Sequence, residues 1–484
     1  MYLNLNQELQ NKYPHLEISV LKMSQAKSNK DFRIDSEYFS KKYIEIDKLL
    51  SNINAVRLDT LTSKISDGTH FTPNYKESGV KFISAINISD NYFDLDAGYK
   101  YISKEEHKKL YSRCNPEYND VLIRKVGAGL RKSCVIPKID EQFSIFVSVA
   151  LIKCNSINPF YLSTFLNSTY GQTQLLRFNK GIGQPDLHLE DIARCLIPIF
   201  PLEFQQQIEQ MVRESHECLE QSKALYREAE VLLYRELGLD PENPLASIEP
   251  HSGSLNISVR TLKESFLATG RLDSEYYQQK YDKIERIIAK FETIKLGDLV
   301  DYPISSGATP KSGGEAYTES ENGILFLRAV DLKNGEVDLN NAIKIKPEIH
   351  SGLLKRTKIL TGDILFSIAG TIGRTAIYTH QENANINQAL SIIRFSENKG
   401  IKKLYFIAFF NSVVGQMYLE KYARQGLQTN LNLNEVSNLI IPKISIETQT
   451  QIAEKIKQSF TLRKKASELL QTAKQSVETA IEKG

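Results

Sequence analysis

Two long stretches of the chain carry small or apolar residues at alternating steps of about four and three. From 202 to 237 these residues are Ile208, Val212, Ser215, Leu219, Tyr226, Ala229 and Leu233. From 446 to 481 they are Ile452, Ile456, Phe460, Leu462, Ala466, Leu469, Ala473, Val477 and Ala480. This spacing predicts two amphipathic helices that pack against a partner helix. Each stretch has 36 residues, hence a length of roughly 54 Å at about 1.5 Å per residue.

The charges of the two stretches favour a mutual pair. The net charge is −5 from 201 to 240 and +2 from 445 to 484. Periodicity does not name the partner, so the alternative stays open that each helix lies on its own globular half. Gly238, Pro241 and Pro244 end the first helix and begin a linker to about Pro250.

Segments of the first half of the chain return in the same order in the second half. FRIDSEYFSKKYIEIDKLL, from Phe32, returns as GRLDSEYYQQKYDKIERII, from Gly270. The shorter matches are KFISAINI with LFLRAVDL, DVLIRKVGAGLR with DILFSIAGTIGR, FLNSTYGQ with FFNSVVGQ, and LIPIFPLEFQQQI with LIIPKISIETQTQI. The offset drifts only from 238 to 244 in a chain of 484 residues. This regularity predicts an internal duplication.

Each half predicts the same elements in the same order. A short amphipathic helix (36–50; 274–288) precedes a β-rich segment with runs such as 81–88 and 120–126, then a late helix around 161–178 and a long polar helix. The predicted fold is α+β, with two duplicated mixed domains joined by two long antiparallel helices around a pseudo-twofold axis. The predicted domains are 1–200, which includes an N-terminal helical arm, the spacer helix and linker 201–245, the second domain 246–444, and the second spacer helix 445–484.

Composition narrows the class of protein. The chain has 41% hydrophobic and 25% charged residues, and a net charge of only +3, which leaves +8 outside the first long helix. That basic remainder permits a phosphate-binding face. The five cysteines are scattered and odd in number, which favours a reducing compartment. The N-terminus does not resemble a secretory leader, and the most apolar segment, 404–419, is too polar to span a bilayer, so a cytoplasmic protein is expected.

The motifs that resemble catalytic signatures have simpler explanations. The segment NPFY from Asn158 resembles the loop with which amino-methyltransferases hold a base, but Asn158 is better explained as a helix cap followed by a first-turn proline. The glycines at 369–373 precede the β-like segment RTAIY, so they predict a hairpin turn rather than a nucleotide loop. The histidines lack metal-ligand spacing. We therefore predict no catalytic, cofactor-binding or metal-binding residue.

What remains is the chemistry of recognition. Basic and amide side chains on glycine-rich loops contact phosphates and the edges of guanine and adenine. Such loops occur at the hairpin and near the end of each half, and a third pair, ISDGTHFTP and ISSGATP, is either a contact loop or purely structural. The candidate DNA-binding residues are Lys125, Arg131, Lys132, Arg177, Lys180, Gln184, Arg328, Arg374, Arg424, Gln425, Gln428 and Asn430. Because Lys125 aligns with Ile368 and Ser84 with Arg328, the halves are expected to read different bases.

The duplicated halves, the DSEY box, the DILF…AG…GR hairpin, the GLQTNLN loop and the LIIP…IETQTQI helix entry resemble the specificity subunit of type I restriction–modification systems. The resemblance covers essentially the whole chain. It implies a non-catalytic subunit whose two recognition domains read an asymmetric, two-part sequence in double-stranded DNA. It also implies two methyltransferase subunits and restriction (translocase–nuclease) subunits as partners, which would carry S-adenosylmethionine, ATP and Mg²⁺.

The residues proposed to form the partner-docking helices are Ile208, Val212, Leu219, Leu233, Ile452, Ile456, Leu469 and Val477. Two recognition domains that contact the major groove on one face of B-DNA lie with their centres about 34–36 Å apart. Helices of this length would span that distance. Two alternatives remain: a self-contained adenine DNA methyltransferase, and a DNA-binding subunit of another defence or regulatory complex.

Overall fold

The computed structural model describes residues 2–27, 33–127, 131–178, 186–249, 257–311, 315–340, 342–423 and 430–484. These residues form two compact units. The first unit comprises Met1–Leu219 with Lys464–Gly484, and the second unit is Glu220–Arg463. Each long helix is therefore divided between the units, whereas the sequence analysis had assigned the two helices to segments of their own.

The helices and strands follow the duplication. The helices are α1 (Tyr2–Lys12), α2 (Met23–Lys27), α3 (Lys41–Asn52), α4 (Lys104–Arg113), α5 (Pro159–Asn167), α6 (Thr169–Arg177), α7 (Leu189–Ala193), α8 (Leu202–Glu236), α9 (Phe266–Thr269), α10 (Gln279–Ile288), α11 (Leu296–Leu299), α12 (Pro347–Ser351), α13 (Lys403–Asn411), α14 (Val413–Tyr422), α15 (Leu433–Ser437) and α16 (Ile446–Lys483). The late helix predicted around 161–178 is thus two helices, because Ser168 ends α5 and caps α6.

In its described part, each unit has eleven strands. Those of the first unit are β1 (Ala55–Arg57), β2 (Thr62–Asp67), β3 (Val80–Ile83), β4 (Ile88–Ser89), β5 (Tyr92–Phe93), β6 (Lys100–Ile102), β7 (Val121–Arg124), β8 (Ser133–Val135), β9 (Phe143–Ile145), β10 (Val149–Cys154) and β11 (Leu196–Pro198). Those of the second unit are β12 (Glu292–Lys295), β13 (Ser305–Ser306), β14 (Ile324–Leu327), β15 (Leu332–Lys333), β16 (Glu336–Val337), β17 (Ile343–Ile345), β18 (Ile364–Ser367), β19 (Thr375–Ile377), β20 (Ala384–Ile386), β21 (Leu390–Ile393) and β22 (Ile440–Lys443).

The strands pair in the same way in both units, which confirms the duplication. The central sheet of the first unit has the order β2-β10-β7-β8, and its counterpart begins β13-β21-β18-β19 and continues through β16 and β15. The smaller sheets correspond as β6-β3-β9 with β17-β14-β20, and as β1-β11 with β12-β22. In both three-stranded sheets the last pair is parallel and the other is antiparallel. The α+β class is therefore correct.

The repeated motif FLNS…GQ is a hydrogen-bond frame that holds the hairpin between the third and fourth strands of the central sheet. The side chain of Asn167 accepts a bond from the backbone nitrogen of Ser133 at 3.0 Å and donates to its carbonyl at 2.8 Å. Asn411 binds the backbone of Thr375 in the same way, at 2.9 and 2.8 Å. Gln172 then donates to the carbonyl of Arg131 at 3.0 Å. The repeated polar residues are thus explained by main-chain bonds.

The glycine of the same motif is required by a close approach of two helices. A Cβ atom on Gly171 would lie 2.2 Å from the carbonyl oxygen of Phe165, and one on Gly415 would lie 2.0 Å from that of Phe409. Both distances are far below van der Waals contact, and the atom approached is backbone. A side chain at either position would therefore force the two helices apart.

We expect the Gly415→Ala substitution to lower the free energy of unfolding of the second unit by about 1–3 kcal/mol or more, which is the usual cost of overpacking a core. Denaturant unfolding of the purified chain measures it. Val413→Ala is the matched control, because Val413 begins the same helix and is 43% exposed. Equal effects of the two substitutions would contradict the close approach.

The two long helices pack against each other within each unit. In the first unit, Ser215 Oγ donates to the carbonyl of Ala466 at 2.9 Å. In the second unit, Ser459 Oγ donates to the carbonyl of Ser222 at 2.9 Å. The ion pairs Glu214–Lys465 (2.6 Å) and Glu228–Lys455 (2.5 Å) flank these contacts. Residues later in α8 contact residues earlier in α16, so the helices are antiparallel, as predicted. Their oppositely charged side chains therefore lie next to each other.

The two long helices pack against each other, and they also pack against the globular core of each unit. Both of the arrangements considered in the sequence analysis are therefore present. Ile208 and Val212 join Ala473, Val477 and Ile481 in the core of the first unit. Leu233, Ile452 and Ile456 belong to the core of the second unit.

Among the described residues, no helix is both long enough and apolar enough to cross a membrane.

The packing corrects the docking prediction. Ile208, Val212, Leu233, Ile452, Ile456 and Val477 are fully buried inside this chain, so they stabilise the helix pair and offer no surface to a second protein. Leu219 and Leu469 are only half-buried. On α16 the buried face runs through Ser459, Ala466 and Ala473, so the predicted stripe was displaced by one residue at Phe460. A docking partner would therefore contact the outer faces of these helices.

Candidate nucleic-acid interface

Three loops emerge at one edge of the central sheet of the first unit. Asp67, at the end of β2, and Ile123, in β7, both lie opposite Ala150 of the strand between them. Since each pairs antiparallel with that strand, β2 and β7 are parallel and their C-terminal ends share one edge. The loops 68–73 and 125–132 therefore start side by side.

The third loop joins them by backbone contacts. Val126 forms an antiparallel bridge with Asp186, and the backbone nitrogen of Leu187 donates to the carbonyl of Lys125 at 3.2 Å. We call the loops 68–73, 125–132 and 179–187 the loop edge of the first unit. Residues 128–130 and 179–185 lie outside the described residues, so the loop edge is defined here by its stems.

The second unit repeats the arrangement. Ser306 and Phe366 both lie opposite Ser391, Ala369 bridges Asn430, and the nitrogen of Leu431 donates to the carbonyl of Ile368 at 2.8 Å. We call the loops 307–310, 368–374 and 424–431 the loop edge of the second unit, and it too is defined by its stems, because residues 424–429 lie outside the described residues. The three loop pairs that the sequence analysis singled out separately are thus brought together twice.

Lys125 is a structural residue. Its side chain is only 5% exposed and its Nζ lies 2.9 Å from the equally buried carboxylate of Asp67. Arg113 approaches the same carboxylate at 2.8 Å and His70 at 3.3 Å. Removing one partner of a buried pair is strongly destabilising, because the other charge is left uncompensated. Lys125 therefore ties two loops of the loop edge together and has no surface to offer to DNA.

The hairpin residues align differently from the sequence prediction. Ser133 pairs with Ile123, and its counterpart Thr375 pairs with Phe366, so the first hairpin is one residue longer than the second. Arg374 therefore corresponds to Lys132, and Arg131 to Gly373. The φ angles of these last two are 75° and 79°. An L-residue in this region costs roughly 1–2 kcal/mol, so Arg131 occupies a strained position for which glycine is suited.

The two cations of the hairpin differ in what they contact. Lys132 Nζ lies 2.9 Å from Asp90, which Lys474 of α16 also approaches at 3.1 Å. Arg374 is exposed. Arg131 is half-buried, and burial lowers the pKa of its guanidinium from the usual value. The second unit thus has the more accessible cation in its hairpin.

Arg177 supports the third loop from within the protein. Its guanidinium lies 4.2 Å from the centre of the Tyr38 ring, pairs with Asp47, and donates to the carbonyl of Tyr38 at 2.9 Å. Arg33 lies on the same ring at 4.8 Å. The side chain of Arg177 is only 11% exposed. The DSEY box therefore clamps the end of α6, directly before the third loop.

The second unit has the same clamp with other side chains. Lys421 and Arg271 lie 4.8 and 4.6 Å from the Tyr276 ring centre, and Lys421 pairs with Glu285 at 2.5 Å. Burial raises the pKa of Tyr276 to about 12. In the first unit, the hydrogen bonds from Arg33 lower the pKa of Asp35 to about 2. Near neutral pH, Asp35 is therefore ionised beside Arg33, and Tyr276 stays un-ionised between Lys421 and Arg271. These contacts explain why the motif is repeated.

The remaining candidates have mixed placements. Arg328 is half-buried and lies 3.4 Å from Asp331, at the start of a short 3-10 turn. Asn430 is exposed at the loop edge. Lys180, Gln184, Arg424, Gln425 and Gln428 lie outside the described residues. The sequence analysis did not single out Phe71, which is 84% exposed on the loop edge. A gap in the alignment of ISDGTHFTP with ISSGATP was the available signal.

The apparent catalytic motifs have structural roles. Asn158 caps α5, since its side chain accepts bonds from the nitrogens of Phe160 and Tyr161 at 2.9 and 3.2 Å. Tyr161 is fully buried and donates to the carbonyl of Pro198 at 2.8 Å. The glycine loop at 369–373 connects two antiparallel strands, as a hairpin should. Within the described ranges, no group of three or more potential ligands is arranged to hold a metal ion.

Comparison with known proteins identifies the class of domain. Residues 289–478 match the family model described as the type I restriction modification DNA specificity domain. This part of the chain is therefore similar to that domain, and the resemblance of the chain to type I specificity subunits is confirmed.

One curated relative is the type I restriction enzyme EcoBI specificity subunit of Escherichia coli, which is 36% identical over 141 residues. That match covers 29% of this chain and spans 29% of the length of the relative. Two solved structures are also similar. The HsdS subunit from Thermoanaerobacter tengcongensis has 17% identity and a TM-score of 0.28, and the S subunit from M. genitalium has 14% and 0.41. The match to each structure covers 88% of this chain and 96% of the chain in that structure.

Proposed function

We propose that the chain is the DNA sequence-specificity subunit of a type I restriction–modification complex. It binds a bipartite, asymmetric target in double-stranded DNA and directs methyltransferase and restriction subunits to that target. The observation that carries the proposal is the loop edge, which occurs once in each unit and lies on equivalent strands in both. Base readout requires side chains on a rigid support that reach the edges of the bases.

The differences between the two loop edges support an asymmetric target. The first hairpin is one residue longer, its buried Lys125 is replaced by Ile368, and Arg131 stands where the second unit has Gly373. Identical readers would bind two copies of one sequence. Readers with different side chains on the same frame bind two different sequences.

The proposed partners are two methyltransferase subunits and the restriction subunits of the complex. S-adenosylmethionine, ATP and Mg²⁺ belong to those partners in this proposal. The outer faces of the long helices are the proposed docking surface. On α8, Ala224, Arg227 and Val231 border a groove of about 460 Å³ that faces away from the buried stripe.

Methylome sequencing of a host with and without the chain tests the proposal. We expect N6-methyladenine in a two-part motif that is not a palindrome and that disappears when the chain is removed. A palindromic motif, or a motif that persists without the chain, would overturn the proposal. Methyl transfer by the purified chain alone, with S-adenosylmethionine, would instead support the alternative of a self-contained methyltransferase.

A further inference from the structure

The loop after β2 is two residues longer than its counterpart after β13. Both loops begin at a glycine whose Cβ would lie about 2 Å from a carbonyl oxygen of the neighbouring strand (2.0 Å at Gly68 and 1.9 Å at Gly307). Both reach a buried proline that follows a threonine, Pro73 and Pro310. Thr69, His70 and Phe71 precede that Thr-Pro pair in the first unit, whereas Ala308 alone does so in the second. His70 and Phe71 are therefore an insertion.

The insertion is an ordered turn. The hydroxyl of Thr69 accepts a hydrogen bond from the backbone nitrogen of Phe71 at 3.2 Å. The backbone nitrogen of Thr69 donates to Ile145, and its carbonyl accepts from Val147, at 3.2 and 3.0 Å. With its base tied to the neighbouring strand and Pro73 buried behind it, the turn displays the ring of Phe71 at 84% exposure.

The position of Phe71 distinguishes it from an ordinary exposed apolar residue. Single exposed apolar side chains are common and by themselves indicate nothing. Phe71 instead lies on the loop edge, beside the hairpin stem, because Asp67, which directly precedes its loop, pairs with Lys125. Arg113 and His70, both more than half exposed, lie on the same carboxylate. The cations Lys125 and Arg113 outnumber the single carboxylate that they share, so this part of the loop edge carries a net positive charge, which suits the phosphates of DNA.

We infer that Phe71 is a specificity-determining residue that packs against the methyl group of a thymine in the half-site read by the first unit. The inference rests on the proposed function. The thymine methyl is the apolar group that the major groove presents, and aromatic or small apolar side chains are its usual partners. The second unit has no such insertion, so the contact belongs to one half-site only.

The first test is the methylome of the native complex with Phe71→Ala. We expect one thymine position in one half-site to relax, with the other half-site and the gap unchanged, and an affinity for the cognate duplex that is lower by about ten- to a hundredfold. Phe71→Leu keeps an apolar side chain and should retain most of the affinity. Tyr118→Ala is the control, since Tyr118 is exposed to 50% before the opposite end of β7.

The second test removes the methyl group from the DNA. Duplexes in which deoxyuridine replaces each thymine of that half-site in turn are titrated with the native and the Phe71→Ala complexes. One replacement should weaken the native complex by about fourfold, as expected for one buried methyl group, and should leave the Phe71→Ala complex unaffected. Dependence of both complexes on the same methyl group would overturn the inference.

The outcomes separate this inference from the proposed function. If the native complex shows no two-part motif, the proposed function fails. If the native motif is present and Phe71→Ala leaves it unchanged, or the half-site contains no thymine, only the inference fails. Loss of the methyltransferase subunit from the purified Phe71→Ala complex would make Phe71 a protein contact and would also overturn it.

Discussion

A chain whose first unit carries the loops of the second unit should direct methylation to a motif in which one part has changed completely and the other part has not. The graft replaces 67–73 by 306–310, 125–132 by 368–374 and 179–187 by 424–431, so that Asp67 is exchanged together with its buried partner Lys125. In both units, these loops begin at equivalent strands that pair in the same register. The graft should therefore fold, and the changed part should become the sequence that the second unit reads.

The matched control for the graft lies at the opposite end of β7. Replacing 115–119 by 358–362 exchanges a loop of equal length in which Asn119 and Gly362 both have positive φ, 68° and 89°. The methylome of this variant should match that of the native chain. A loop-edge graft that changes only the gap between the two parts would contradict the assignment of readout to the loop edge.

A second large effect is expected when one heptad is removed from each long helix. Deleting 216–222 and 459–465 keeps Ser215 opposite Ala466 and removes Ser222 and Ser459 together, so no buried hydroxyl loses its partner. Seven residues correspond to roughly 10 Å of helix, or about three base pairs at 34–36 Å per turn of DNA. We expect the gap in the methylated motif to shorten by about that amount while both half-sites keep their sequences.

The single deletions are the controls for the paired one. Removing 216–222 alone leaves Ser459 and the apolar positions of α16 without their partners on α8. We expect that variant to lose cooperative unfolding and assembly with the methyltransferase subunit. Altered half-sites with an unchanged gap, in the paired deletion, would show that the helices do not set the spacing.

Much of the fold could be predicted because the sequence is repeated. A repeat reports which positions matter without showing why, and the structure supplies the reasons: Asn167 and Asn411 bind backbone, and Gly171 and Gly415 allow helices to touch. The alternation of four and three placed most of the helix stripe. It failed near Phe460 because small polar residues such as Ser459 also occupy buried positions.

The candidate site was predicted at the level of loops and not of side chains. Lys125 is neutralised by Asp67, which lies 58 residues away in the sequence. Arg177 is held by Tyr38 and Asp47, more than a hundred residues away. Sequence patterns identify side chains that are able to bind DNA, but only the tertiary partners decide which of them are already engaged.

The main-chain bonds of Asn167 and Gln172 have a consequence for how such proteins change over generations. These side chains hold the hairpin through backbone atoms of Ser133 and Arg131, whatever side chains the hairpin carries. Point substitutions at its tip therefore cost little in folding. Under the proposed function, a change of target sequence at this hairpin therefore requires no change in the residues that hold it.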